Sequence, residues 1–274
     1  MSVGNRRILP GFRLSLGWTL CYLGLLVVIP LAACVLKAST LTWEEFARAV
    51  WTPRARAAYA LTFGAAFAAA LIDTVLGLVI AWVLVRYEFP MKRVFDALID
   101  LPFALPTAVA GLVYSQLYVK NGWLGRFLVP LGIHGAYSRL GIVLVLSFVG
   151  LPFVVRTLQP VLESLDAELE EAAECLGADR WQTFARVLFP PLIPALLTGF
   201  ALTYARAIGE YGSVVFVSGM KVMQTEIAPM LIVFKLEAFQ YSEATAIAVV
   251  LLVVSFALLG LINFLERRSQ PHVS

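Results

Sequence analysis

Thr203, Arg206, Glu210 and Ser213 recur at helical spacing inside the apolar run 192–220, so they read as one polar stripe. Ionisable side chains at membrane depth are costly and face a cavity or a partner. Arg206 and Glu210, four residues apart, can pair on one helix face. A guanidinium also offers planar, forked donors to an anion. Two readings follow: an ion pair that only neutralises itself, or a polar stripe lining a passage or its gate. Ala205, Gly209 and Ser213 add a small-residue ladder along which another helix can approach closely. The other acids in apolar runs are Asp73, which has no evident partner, and Asp100. Asp100 abuts Pro102 and Pro106, two residues without a backbone donor, and reads as a cap for a helix end freed there. Broken helix at membrane depth needs protein or a wet cavity beside it. Pro102, Pro106 and Thr107 therefore join the candidate passage or gate, against the simpler reading of a kink.

The elements that position these residues are membrane helices. The chain has 274 residues, 60% hydrophobic and 14% charged, with a mean hydropathy of +0.84. That is too apolar for a soluble globule, and several runs reach the ~20 residues that cross a bilayer. The expectation is an all-α, polytopic, single-domain membrane protein (residues 1–274) with six spans: 14–36, 59–85, 97–119, 140–157, 192–220 and 244–265. Residues 31–34 mimic a lipoprotein cleavage site, but run 14–36 is too long for a signal core and is expected to stay as the first span. Trp43 and Trp51 read as an interfacial pair in the following loop. Six spans place both termini on one side. The acid-free cluster of Arg6, Arg7 and Arg13 puts that side in the cytoplasm, although inner and outer segments differ little, with eleven and nine Lys plus Arg. The net charge of +3 reflects these flanks, and no nucleic acid is expected as a partner.

A polar island at about 159–190 interrupts the apolar pattern. Glu163, Asp166, Glu168, Glu170, Glu171, Glu174 and Asp179 sit there with Arg180 and Arg186. An Ala- and Glu-rich helix runs to Gly177, the residue type that ends a helix in the left-handed conformation. Asp179 reads as the N-cap of a second short helix carrying Trp181 and Phe184 on one side, stopped by Pro190 and Pro191 before the next span. A helix–turn–helix at a membrane surface is a handle for a soluble partner.

Glu171, Ala172 and Ala173, then Gly177, then Val187, Leu188, Phe189 and Pro190 resemble the EAA signature of ABC-importer permeases, with Val187 and Phe189 where that family usually has Ile and Leu. Stretches 6–12, 98–111, 152–163 and 205–213 are similar to the sulfate/thiosulfate ABC permeases, T-type subunit, so that the resemblance covers nearly the whole chain. Molybdate permeases are the alternative. They tend to carry a second Pro where Thr107 stands and Phe-Gly where Tyr211-Gly212 stands. The resemblance implies a type I importer in the bacterial inner membrane, surrounded by lipid. Its partners would be a sister W-type permease, two cytoplasmic ATP-binding subunits and an extracytoplasmic sulfate/thiosulfate-binding protein. It also implies that residues 179–184 form a coupling helix, so that Glu171, Ala172, Ala173, Gly177, Asp179, Arg180, Trp181 and Phe184 serve ATPase coupling.

Rival functions find little support. An intramembrane enzyme needs a nucleophile–base pair or metal ligands at depth, and the only imidazoles are His134 and His272, outside the apolar runs. Cys21, Cys34 and Cys175 lack metal-type spacing, and no disulfide, metal or cofactor is expected. A receptor or scaffold does not require Arg206 or a broken span. No GxxxxGK[ST] loop is present, so ATP hydrolysis would belong to another chain.

Overall fold

The computed structural model describes residues 11–269, with the side chains of Ala167 and of 265–269 left aside. Arg6, Arg7 and His272 lie outside the described residues. Among these there is helix and no strand: α1 (Phe12–Ala38), α2 (Trp43–Val50), α3 (Pro53–Arg86), α4 (Lys92–Ile99), α5 (Thr107–Tyr118), α6 (Arg139–Glu163), α7 (Ala167–Cys175), α8 (Arg180–Ile208), α9 (Gly212–Ser218), α10 (Ala228–Glu237) and α11 (Tyr241–Ser269).

Five helices are long and apolar enough to cross a membrane unbroken: α1, α3, α6, α8 and α11. The third expected span, 97–119, is in pieces. After α4 comes a single turn, Leu101–Ala104, with Pro102 at its start, then extended backbone at Leu105 and Pro106, then α5. Each proline withholds a donor where the helix would otherwise continue.

Three differences from the sequence reading have physical causes. Pro190 and Pro191 do not stop the coupling-loop helix. They sit in the first turn of Phe189–Ile208, and the backbone from Arg180 onward stays helical through a π-helical stretch, Phe184–Leu188. Second, the supposed loops 37–56 and 221–243 contain α2 and α10. Helix α2 starts on a capping box in which Thr42 Oγ1 accepts from the Glu45 amide and the Glu45 carboxylate accepts from the Thr42 amide. The Thr-x-x-Glu spacing was visible in the sequence. Third, Asp100 caps nothing. It pairs with Arg156 on α6, whose guanidinium reaches Asp100 at 2.6 Å and Asp96 at 2.7 Å and also donates to Gln159. Burial works to raise the Asp96 carboxyl, but the Gln159 and Arg156 donors outweigh it and hold it below its ordinary range. This cluster ties the start of the broken span to α6.

The core is a bundle of α3, α6 and α8. Helix α3, about 51 Å long at 1.5 Å per residue, buries mostly small residues through its middle: Ala65, Ala66, Ala69, Ala70, Gly77 and Ala81. Without large side chains between them the backbones meet closely, which is how helices associate where lipid removes the hydrophobic drive. A Cβ on Gly77 would lie 2.6 Å from Val154 of α6, and one on Gly150 would lie 2.5 Å from Thr203 of α8. Gly64 on the same helix faces open space. Gly77→Val is therefore expected to lose about 1–3 kcal/mol of stability through overpacking, and Gly64→Val far less. Thermal unfolding in detergent checks this, and equal effects at the two positions would contradict the packing described.

Candidate functional site

Helix α8 does not run on to residue 220. It ends at Ile208, and α9 begins at Gly212. Gly209 and Gly212 bracket the break, and Tyr211 leaves the helical region, with φ of −124° and ψ of −50°. Glu210 supplies what the restart lacks. Its Oε1 accepts from the Ser213 amide at 2.9 Å and from Ser213 Oγ at 2.9 Å, so the carboxylate satisfies a first-turn donor of α9. Its other oxygen takes Arg206 Nη1. Glu210 is buried and fully engaged, whereas the Arg206 side chain keeps about a third of its surface, 34%.

The expected single stripe is thereby divided. Arg206, Glu210 and Ser213 form one hydrogen-bonded unit. Thr203 points elsewhere and donates to the Gly150 carbonyl of α6 at 3.0 Å, inside the bundle. Spacing alone could not show this, because the helical period is lost after Ile208. Asp73 is also in the bundle, buried against Gly150, and its Oδ2 has no hydrogen-bond partner among the described residues.

The two broken segments face each other. A Cβ on Gly111 would stand 2.0 Å from the Ser213 carbonyl, and one on Gly212 would stand 2.4 Å from Thr107 Oγ1. So α5 and α9 touch backbone to backbone at Gly111, where only glycine fits, and Gly212 packs on the Thr107 side chain. Pro106 and Thr107 open α5, while Glu210 and Ser213 open α9. Of the predicted passage residues, Pro106, Thr107, Arg206, Glu210 and Ser213 converge here. Pro102 is buried one turn earlier in the chain, on the side of α6 where Phe103 meets Phe153 edge to face at 5.2 Å. Of the small-residue ladder, Ser213 meets Gly111 through its backbone, and a Cβ on Gly209 would meet no atom of the described residues.

The polar island folds as a second unit. Gly177 has φ +83° and ends α7 in the left-handed conformation, as its type requires. Asp179 closes a capping box with Gln182. Glu171 is exposed, Ala172 is exposed, Ala173 is buried, and Arg180 is exposed. Trp181 is 74% exposed, but Phe184 is not free: it turns back to pack edge to face on Trp82 of α3 at 5.4 Å. Sequence reasoning had paired it with Trp181 as an outward anchor. It missed Trp82, because an aromatic on another helix leaves no periodic trace.

Broken helices meeting inside a helical bundle, beside a capped surface loop, are an arrangement shared with the membrane-embedded permeases of ABC importers. The same fold is found in a bacterial ABC transporter involved in the import of the acidic polysaccharide alginate, with a TM-score of 0.77 over 93% of this chain and 94% of that one at 16% identity. That transporter has also been solved with an alginate pentasaccharide-bound periplasmic protein, again with a TM-score of 0.77, over 93% of each chain at 17% identity. The chain belongs to the family described as binding-protein-dependent transport system inner membrane component, which matches residues 73–271. It is similar to the sulfate transport system permease protein CysT of Escherichia coli (strain K12), 46% identical over 97% of this chain and 96% of that one. It is likewise similar to CysT of a Synechocystis strain, 51% identical over 93% of this chain and 90% of that one.

Two substitutions probe the site. Arg206→Ala leaves a buried carboxylate still held by Ser213, so the expected loss is about 1–3 kcal/mol, below the 3–5 of a fully buried pair. Glu210→Ala removes the α9 cap as well and should cost more. Thermal stability of the purified subunit pair measures both, and a larger loss for Arg206→Ala would show that the cap contributes nothing.

Proposed function

We propose that this chain is the transmembrane permease subunit of an ATP-driven sulfate/thiosulfate importer. Relatives named as sulfate permeases over more than nine-tenths of the chain carry the substrate reading, and molybdate is not favoured by them. The whole chain, residues 1–274, acts as one permease domain with both termini in the cytoplasm. It pairs with a sister W-type permease, is driven by two separate ATP-binding subunits and receives its anion from an extracytoplasmic binding protein.

In this reading Pro102, Pro106, Thr107, Thr203, Arg206, Glu210 and Ser213 form this subunit's share of the passage and its gate. Sulfate is a dianion, and an unpaired charge is strongly disfavoured at membrane depth. Arg206 lowers that barrier with donors on its open side. Glu210 keeps it from holding the anion too firmly, since passage requires weak, reversible contact. The surface of Arg206 left open by this chain faces the sister permease or the passage. Glu171, Ala172, Ala173, Gly177, Asp179, Arg180, Trp181 and Phe184 form the coupling loop, with the exposed Trp181 ring docking on an ATPase.

In proteoliposomes holding the complete complex, sulfate presented by the binding protein should stimulate ATP hydrolysis and be taken up, with thiosulfate competing and molybdate inert. Stimulation by molybdate at equal or greater strength would overturn the substrate. The Arg206→Ala/Glu210→Ala double replacement should assemble and fail to transport. Restored transport would make the pair purely structural. Gly177→Val, at a left-handed position, should lower uptake per ATP hydrolysed while the spans still insert, and normal uptake would remove Gly177 from coupling.

A further inference from the structure

Both arms of the island loop converge on one turn of α3. From α7, Glu170 Oε1 lies 2.8 Å from Arg86 Nη1. From the other arm, Phe184 packs on Trp82, with Trp181 stacked on Phe184 at 5.8 Å. Trp82 and Arg86 are four residues apart, and the guanidinium carbon sits 5.5 Å from the Trp82 ring centroid. One ring and one cation at the end of α3 therefore gather the helix before Gly177 and the turn after it.

We propose that Trp82 and Arg86 are positioning residues that transmit movement of the coupling loop to α3, and through α3 to the gate. The proposal rests on the importer reading above. Helix α3 suits the task because between Ala65 and Ala81 its buried face is Ala and Gly except for Asp73, so that stretch has few side chains that could yield and absorb a displacement. Asp73, on the same helix and about 20 Å from Arg86 at 1.5 Å per residue, packs at Gly150 beside Thr203, one helical turn from Arg206. The far end is also fixed: Arg54 makes a two-pronged pair with Glu226 at 2.6 and 2.8 Å and lies 4.3 Å from the Phe234 ring centroid. The inner contact differs from this outer one. Its approach is an ion pair without hydrogen-bond alignment, and Arg86 Nε and Nη2 are buried with no hydrogen-bond partner among the described residues. Idle buried donors are costly, so the guanidinium gains when the loop shifts to offer acceptors. That suits a contact remade in each cycle better than a fixed brace.

The test uses the complete complex in proteoliposomes and reads assembly, ATP hydrolysis and sulfate uptake together. Arg86→Gln and Trp82→Ala are expected to keep the ATPases bound and hydrolysing while uptake per ATP falls at least about fivefold, the low end of coupling between linked sites. The exchange Arg86→Glu/Glu170→Arg should recover most of that ratio, because the pair is restored with its ends reversed. Hydrolysis and uptake falling in proportion, or an unchanged ratio, would overturn the proposal. If Arg86→Gln does not assemble, Arg86→Lys and the exchange decide: assembly with a lowered ratio for Lys and a recovered one for the exchange supports it, and failure of both to assemble assigns the pair to folding and overturns it. A wild-type complex that hydrolyses ATP without moving sulfate would instead remove the importer reading itself.

Discussion

Unpaired backbone groups inside a bilayer have no water to turn to, and this requirement governs the architecture around Glu210. Two helices end within the bundle, one at prolines 102 and 106 and the other between glycines 209 and 212. Irregular backbone of this kind survives only where protein covers it. Here each break is covered by the restart of the other, with Gly111 against the Ser213 carbonyl and Gly212 against Thr107. Glu210 completes the arrangement by accepting from Ser213, and Arg206 keeps that buried acid from being an isolated charge.

The consequence is a polar assembly set beside an apolar one. The α3–α6–α8 bundle is packed through small residues and glycine approaches that tolerate little change in separation. The α5–α9 pair meets just as closely, at Gly111 against the Ser213 carbonyl, buries Val214 and Val217, and adds the Glu210 carboxylate at its break. Of the two aromatic-backed arginines at the ends of α3, Arg54 holds the bundle to the segment carrying Glu226, and Arg86 meets the island loop at Glu170.

Features with a local cause were legible in the sequence. Gly177 has the left-handed φ its type foretold, Asp179 caps the turn it precedes, and prolines 102 and 106 break the third span. The Arg206–Glu210 pair was legible too, since both partners lie within four residues. The end of α8 at Ile208 was not, because Gly-Glu-Tyr-Gly reads equally well as helix until Ser213 is seen to bond Glu210. Arg156 with Asp96 and Asp100, and Arg86 with Glu170, join residues 56 to 84 positions apart, which no helical period records. Helix α10 was hidden because its flanks carry Lys221, Glu226, Glu237 and Glu243, so hydropathy reads the whole stretch as loop.

In the importer proposed above, the facing breaks of α5 and α9 open and close. Single cysteines placed at Thr107, Ala108 and Val109 in an assembled complex freed of Cys21, Cys34 and Cys175, tested with a water-soluble thiol reagent in nucleotide-free and nucleotide-trapped states, address this most directly. Labelling at these positions in one state and protection in the other is the predicted result. Uniform protection in both states would contradict it and leave the prolines as a static kink.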